Sequence, residues 1–535
     1  MNDQYSSSAS LLKGRRENYG ILEPSIRDGE TTTGTVEDLG YHASYRRIFE
    51  GLGSFALVLS VASPVCGIAI GSSYQIVYGG YWGLTWGWII PAVLFFAQPL
   101  AIAELCSSMP VNGANYWWTA ALSPMSFSRP LSFISGWITI MQIVTSLASV
   151  SFACGTSLVT IISVFHPEWH PSNSQVMGIA MSIVIFWGVT SFLRMESIAW
   201  ICILSCSTVL LSTVIYTMAL PITHSLRGLP FAPAAKVFGE YKNSSDWGQA
   251  VAVPMTFFST AWAVAGWNAP SYVVEETKNA RVVGPRSIVQ TYLAMAILGM
   301  IVCIVSAFCI EDIESATLDP RGLPLYTLVF EHFGHKLGAG FFFMTTSTTV
   351  LGGSSFLLTS ACQVAAFARD GGLPFSKTLA HVHEKTNMPI YSQAVLATGT
   401  LFVLLFGLSS MAGTIIFSLS VIANLLMLAH PILLRIFAQD RFVPGPFNLG
   451  KFSKPIHIWA FLTLVYMMIL ESFPPTKHWT AETFNYNWVV TLGALVFAVI
   501  GWFSLGHKYP GLDMTALDAW REHHARQSDS ETVTD

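Results

Sequence analysis

Ala62-Ser63-Pro64-Val65-Cys66-Gly67, with Gly71-Ser72-Ser73 just beyond, interrupts an apolar run that extends from about Leu52 to Val77. Val264-Ala265-Gly266-Trp267-Asn268-Ala269-Pro270 interrupts a second run, from about Ala250 to Val274. Both runs are long enough to cross a bilayer, which takes about 20 apolar residues. A helix broken inside hydrocarbon leaves backbone N–H and C=O groups with no partner, so the break must be buried in protein or line a watery cavity. Two such breaks at matching positions of two chain halves point to a solute site between them.

Composition agrees with a membrane protein. Of 535 residues, 52% are hydrophobic, only 11% are charged and 17 are Trp, with a mean hydropathy of +0.52. Soluble domains carry about 25% charged residues. The net charge of −4 gives no sign of nucleic-acid binding. Cys66, Cys106, Cys154, Cys202, Cys206, Cys303, Cys309 and Cys362 all lie in or beside apolar runs. They read as small buried hydrophobes, with neither a disulfide framework nor a metal-ligand spacing.

Residues 1–47 are polar and Ser-rich, and are expected to form a disordered cytoplasmic tail; they lack the pattern of a signal peptide. Twelve apolar windows come after it, at about 52–77, 82–106, 131–160, 176–193, 197–220, 250–274, 287–310, 338–367, 391–410, 413–434, 455–472 and 487–506. The transporter-like domain thus spans 48–506, and 507–535 reads as a second cytoplasmic tail. Spans 1–5 (52–220) and 6–10 (250–434) overlay as two five-helix units, each opening on a broken helix. An odd number of spans makes the second unit inverted relative to the first. Spans 11 and 12 (455–506) are an appendage. The expected fold is therefore all-α, with a five-plus-five inverted repeat.

Basic residues set the expected orientation. With the N-terminus inside, the inner loops hold Arg129, Arg194, Lys278, Arg281, Arg286, Arg369, Lys377, Lys385, Arg435, Arg441, Lys451 and Lys454, which is twelve. The outer loops hold Arg227, Lys236, Lys242, Arg321, Lys336 and Lys477, which is six. Both termini are therefore expected in the cytoplasm. The sequon Asn243-Ser244-Ser245 then falls outside.

At the first break, Gly67-Ile68-Ala69-Ile70-Gly71-Ser72 could offer N–H groups at a half-helix N-terminus, where the positive dipole end suits a carboxylate, with Ser63 and Cys66 as further candidate substrate contacts. Carbonyls near Ala265, Gly266 and Trp267 could accept from an ammonium. The alternative is that the glycines serve only close helix packing. Trp262, Trp267 and Tyr272 crowd the second break as candidate gates or cation–π partners, or as packing residues. Asn268 is an amide in an apolar span that needs a partner, either substrate or a neighbouring helix.

Ionisable residues deep in the spans are few. Glu104 is a candidate proton relay or an interfacial residue, and His430 reads as interfacial. Thr348-Thr349 and Ser354-Ser355 supply hydroxyls that could coordinate Na⁺, although such hydroxyls mostly bond backbone carbonyls. No P-loop, nucleotide-binding, G-x-S-x-G or H-E-x-x-H motif occurs, so neither an enzyme nor a nucleotide-driven pump is expected. No cofactor or metal is expected; His381-Val382-His383 reads as solvated loop.

Several stretches resemble the fungal branch of the amino acid–polyamine–organocation superfamily, near its GABA and choline permeases. They are Tyr78-Gly79-Gly80 with Gly83-Leu84-Thr85-Trp86-Gly87-Trp88, Ala103-Glu104-Leu105-Cys106-Ser107-Ser108-Met109-Pro110, and Gly113 with Tyr116-Trp117-Trp118. Glu275-Glu276-Thr277-Lys278-Asn279 with Pro285-Arg286, Ala368-Arg369-Asp370-Gly371-Gly372-Leu373-Pro374-Phe375-Ser376, Phe473-Pro474-Pro475 and Asn485-Tyr486 also match. The resemblance covers about 45–505. It implies the LeuT-type repeat, a site between spans 1 and 6, and uptake of a small amino acid, GABA or related amine, with the proton as coupling ion. It also implies that Glu275-Glu276 closes the cytoplasmic side. A plasma membrane is expected over a vacuolar one. Relatives commonly carry an acidic residue in the stretch that reads Trp267-Asn268-Ala269-Pro270-Ser271-Tyr272 here, so the neutral Asn268 departs from the pattern. Choline or polyamine uptake, and a non-transporting sensor of the same fold, are the alternatives.

Overall fold

A computed structural model describes residues 51–518, except Ala62, Ser191, Pro320, 409–411, 481–483 and 515–516. The tail expected at 1–47, and residues 519–535 of the second tail, lie outside the described residues.

Some helix boundaries fall at residues suited to caps and turns, Ser63 and Asp312 among them. Span 1 begins as Gly51–Leu59 and resumes at Pro64. Ser63 caps the resumed helix, its hydroxyl accepting from the Cys66 amide at 3.5 Å, with Pro64 at the first helical position. Both choices suit a helix start, since proline has no N–H to leave unpaired there. Gly80, at φ +62°, turns the chain from span 1 (64–79) into span 2, which comprises 81–94 and Ala97–Ser108. Only glycine takes that backbone region without cost. A buried helix, Ala114–Leu122, leads to span 3, Met125–Ser163. Span 4 is Asn173–Thr190 and span 5 is Met195–Leu226.

Span 6 starts as Gln249–Met255 and Phe257–Ala263, and then loses helical form. Gly266 sits at φ +91° in the interruption. Two short 3₁₀ turns, Ala269–Tyr272 and Val274–Glu276, complete the span. Span 7 is Ala280–Cys309, reaching a full two turns earlier than its apolar window because Asn279, at φ +48°, starts the helix. In the loop beyond it, Asp312 caps the helix Ile313–Thr317. The Ser315 hydroxyl and the Glu314 and Ser315 amides hold its carboxyl below the usual carboxylate range. Gly334, at φ +77°, separates a helix beginning at Pro324 from span 8, 335–369. Span 9 is Ile390–Leu404 with the turn Leu405–Leu408, span 10 Ala412–Ile436, span 11 Ser453–Leu470 and span 12 Asn487–Leu505.

Packing obeys the inverted repeat. Span 1 lies on span 6 and span 2 on span 7, pairs that a two-fold exchange of the halves leaves in place. The same exchange converts the contact of span 3 with span 10 into that of span 8 with span 5, and both contacts are present. Spans 1, 6, 3, 8 and 10 thus enclose the centre. Lipid-facing stripes lie outside: Leu204, Leu211 and Met218, two turns apart on span 5, are 67%, 55% and 61% exposed. An exposed apolar stripe of this length is what a bilayer accommodates and water does not.

The segment after span 12 does not leave the body at once. Tyr509 is fully buried against Phe133 and Phe367, and its hydroxyl is 2.7 Å from Ser132 Oγ. Arg129 donates to the carbonyls of Gly506 and Tyr509 at 3.2 and 2.6 Å.

Candidate substrate site

Where the two interrupted spans meet, the bundle encloses a cavity of about 110 Å³. A single water needs about 10–15 Å³ on this scale, so the space holds several waters or a small solute. One wall comes from span 1 (Leu57, Val61, Ser63, Cys66, Gly67, Ile70) and span 6 (Trp262, Ala263, Ala265, Gly266, Ala269). Facing it are span 3 (Gln142, Ser146, Val150, Ala153, Cys154), span 8 (Thr349, Phe356, Thr359) and span 10 (Ser420, Asn424). None of these side chains is ionisable as a carboxylate, ammonium, guanidinium or imidazole.

Backbone chemistry dominates the first wall. The Gly67 amide makes the first intrahelical bond, to Ser63 O at 2.8 Å, and the Cys66 amide reaches the Ser63 hydroxyl. Pro64 adds no N–H here, and the helix start carries the positive end of the helix dipole, equivalent to about half an elementary charge, beside the cavity. On span 6 the helix closes with the Val264 and Ala265 amides bonding Thr260 O and Trp262 O. A Cβ on Gly266 would meet nothing within 4 Å. Its glycine is required by φ, not by crowding.

The residues singled out from the sequence separate into two groups. Ser63, Cys66, Gly67, Ala265, Gly266 and Trp262 line the cavity. Trp262 also donates from Nε1 to Ser149 Oγ at 2.9 Å and packs edge-on against Phe417, ring centres 5.1 Å apart. Gly71 lies deeper in the span 1–span 6 contact, where an added Cβ would stand 2.7 Å from Ser259 Oγ. Trp267 is buried against Tyr292 at 6.3 Å, and Asn268 donates to the Tyr272 hydroxyl at 2.6 Å. Gly71, Trp267, Asn268 and Tyr272 therefore lie beside the cavity lining, not in it. Thr348 donates to Thr345 O at 2.7 Å and Ser354 is buried in span 8; Thr349 and Thr359 on the same span reach the cavity instead.

Glu104 is remote from the cavity and fully buried. Its oxygens accept from Ser453 Oγ at 2.6 Å and the Leu449 amide at 3.1 Å. Arg435 Nε stands 3.9 Å away and His457 Nδ1 3.6 Å. The carboxylate ties span 2 to spans 10 and 11.

A second polar cluster closes one end of the bundle. Arg369 donates from both terminal nitrogens to the Glu275 carboxylate at 3.0 and 3.1 Å. The Asn112 amide N–H bonds Glu275 at 3.0 Å, its side chain reaches Glu276 at 3.0 Å, and Tyr116 donates to Asp370 at 3.0 Å. Among the described residues no group of three or more His, Cys, Asp and Glu is placed to hold a metal ion.

Sequence reasoning did not find Gln142, Ser146, Ser420 or Asn424. Their signal is present all the same: each pair is spaced i, i+4, so each presents two polar groups on one face of an apolar helix.

A multi-pass membrane protein with an inverted repeat and a small central cavity is a transporter in architecture. Residues 49–495 match the family model described as amino acid permease, and the chain belongs to that family. An uncharacterized amino-acid permease of Schizosaccharomyces pombe is 31% identical over 90% of this chain and 91% of its own. A GABA-specific permease of Saccharomyces cerevisiae is 28% identical over 92% and 86%. A putative polyamine transporter of Candida albicans is 27% identical over 87% and 85%. A solved manganese transporter of Eremococcus coleocola shares the fold, with a TM-score of 0.51 at 12% identity over 94% of this chain and 99% of its own.

Proposed function

We propose that the protein is a secondary active permease that imports a small amino acid or GABA-like zwitterion together with protons. It works by alternating access around the interruptions in spans 1 and 6. The observation that carries the reading is the cavity itself, lined by Ser63, Cys66 and Gly67 of span 1 and Ala265 and Gly266 of span 6. The helix start on span 1 receives the carboxylate, and carbonyls at the end of the helical part of span 6 receive the amine when it is an α-amine close to that carboxylate. Trp262 covers the site. The Glu275–Arg369 cluster closes the cytoplasmic side, with both termini in the cytoplasm and the protein in the plasma membrane. Glu104, Thr348 and Ser354 are outside the cavity lining, and their part in coupling is indirect.

Likeness to a GABA-specific permease supports the zwitterion reading. Likeness to a putative polyamine transporter favours a second reading, amine uptake. That reading needs a counter-charge for a dication, and no acidic side chain lines the cavity. The test is uptake of labelled GABA, neutral and basic amino acids, choline and putrescine in permease-deficient yeast, at two external pH values with and without a protonophore. Saturable zwitterion uptake that the protonophore abolishes is expected. Uptake of choline or putrescine alone would replace the reading with the second one.

A further inference from the structure

Four side chains on the wall opposite the helix start form an ordered polar strip. Gln142 donates from Nε2 to Ser146 Oγ at 3.0 Å. Ser146 Oγ is 3.2 Å from Ser420 Oγ, joining span 3 to span 10. Asn424 stands one turn beyond Ser420 on the same helix face. Gln142 Oε1 and Asn424 Oδ1 both lack a hydrogen-bond partner, although Gln142 is only 6% exposed and Asn424 9%. A buried acceptor left unpaired costs about 1–3 kcal/mol. Two of them in one cavity make a site short of donors.

We propose that Gln142 and Asn424 form a subsite for the ammonium group of an ω-amino acid, whose carboxylate sits at the start of the span 1 helix across the cavity. This rests on the zwitterion reading above and adds which end of the substrate each wall takes. Amide oxygens are acceptors only, and a protonated amine brings three donors and no acceptor. The two unpaired oxygens therefore match an ammonium. The oxygens are neutral, so they satisfy donors without cancelling a whole charge, and a substrate must carry its own counter-charge to enter. A diamine lacks one. An α-amino acid keeps both charged groups at one end, where the backbone of spans 1 and 6 satisfies them, and leaves the strip unused. A small chain with its charges at opposite ends satisfies both walls.

The experiment is uptake in permease-deficient yeast of glycine, β-alanine, GABA, 5-aminovalerate, α-alanine and putrescine by the wild type, Gln142→Leu, Asn424→Leu and Asn424→Asp. Surface amount is measured for each. Each leucine variant is expected to raise KM for the ω-amino acids about tenfold, equivalent to ~1.4 kcal/mol, with a clearly smaller change in KM or inhibition for α-alanine. Asn424→Asp is expected to gain putrescine uptake, because it supplies the missing counter-charge; a misfolded variant cannot mimic a gain. Unchanged KM for the ω-amino acids, or an equal loss for α- and ω-amino acids, overturns the subsite while leaving zwitterion transport intact. If the leucine variants do not reach the surface, absence of the putrescine gain overturns it. A wild type that carries no zwitterion at all removes the proposed function, and the subsite with it.

Discussion

Gly67 and Gly71 are one helical turn apart on span 1, yet they meet different surroundings. A Cβ on Gly67 would touch Ala263 Cβ at 3.7 Å and Trp262 at 3.8 Å, ordinary contacts at the edge of the cavity. Gly67→Ala is therefore expected to fold, and the larger Gly67→Val to fill the cavity and abolish uptake at near-normal surface amount. Gly71→Ala instead pushes into Ser259, and overpacking of this kind costs about 1–3 kcal/mol. It is expected to lower thermal stability in detergent, and full stability would mean that span 6 yields there. Trp262 and Trp267 divide in the same way. Trp262→Phe keeps the ring but loses the bond to Ser149, and is expected to raise KM. Trp267→Ala empties a buried site against Tyr292, a loss of about 3–5 kcal/mol, and is expected to reduce folded protein with the KM of the survivors unchanged. A raised KM for Trp267→Ala would return it to the site. Sequence alone could not separate the two tryptophans, because the backbone between them is irregular and no helical period relates their directions.

At the scale of elements, two carboxylates fix how the spans can move. Glu275 receives the bidentate Arg369 and the Asn112 amide, and so joins the end of span 6 to span 8 and to the loop before the helix Ala114–Leu122. Hydrogen bonds to charged groups contribute about 1.5–3 kcal/mol. Glu275→Gln is expected to shift the population toward the state open at that end by tenfold or more, read as faster labelling of a cysteine placed at Ser63 from the Glu275 side. Unchanged labelling would make the cluster a passive surface feature. Glu104 sits in the other cluster, where Ser453 accepts from Arg435 at 2.8 Å and donates to the carboxylate. Removing one partner of such a buried pair costs about 3–5 kcal/mol. Glu104→Gln is expected to lower surface amount sharply while the residual uptake keeps its pH profile. A flattened profile would show that the carboxylate carries the coupling proton. Glu104 was visible in the sequence as a charge in an apolar span, but its partners Arg435 and Ser453 lie more than half the chain away, and no local pattern reveals them.

For the whole molecule, the order of the spans was the most legible feature, because bilayer thickness imposes a length on every apolar run. The breaks were legible for the same reason: Pro64 and Gly266 contradict an otherwise continuous helix. The polar strip was not legible, since Gln142, Ser146, Ser420 and Asn424 look like the polar residues that hold membrane helices together. Orientation rests on charge, with twelve basic residues expected inside against six outside. A direct test is at hand because all eight native cysteines are buried. A single cysteine replacing exposed Ser244, in the loop between spans 5 and 6, is expected to react with an impermeant maleimide in intact cells. A cysteine at exposed Glu384, in the loop between spans 8 and 9, is expected to react only after permeabilisation. Spans 5 and 8 run in opposite directions in an inverted repeat, so these two loops lie on opposite sides by construction. The reverse labelling pattern would turn the molecule over and place the Glu275–Arg369 cluster outside. It would then be the outer gate, while proton symport through the same cavity would still run inward, because the gradient and not the orientation sets its direction.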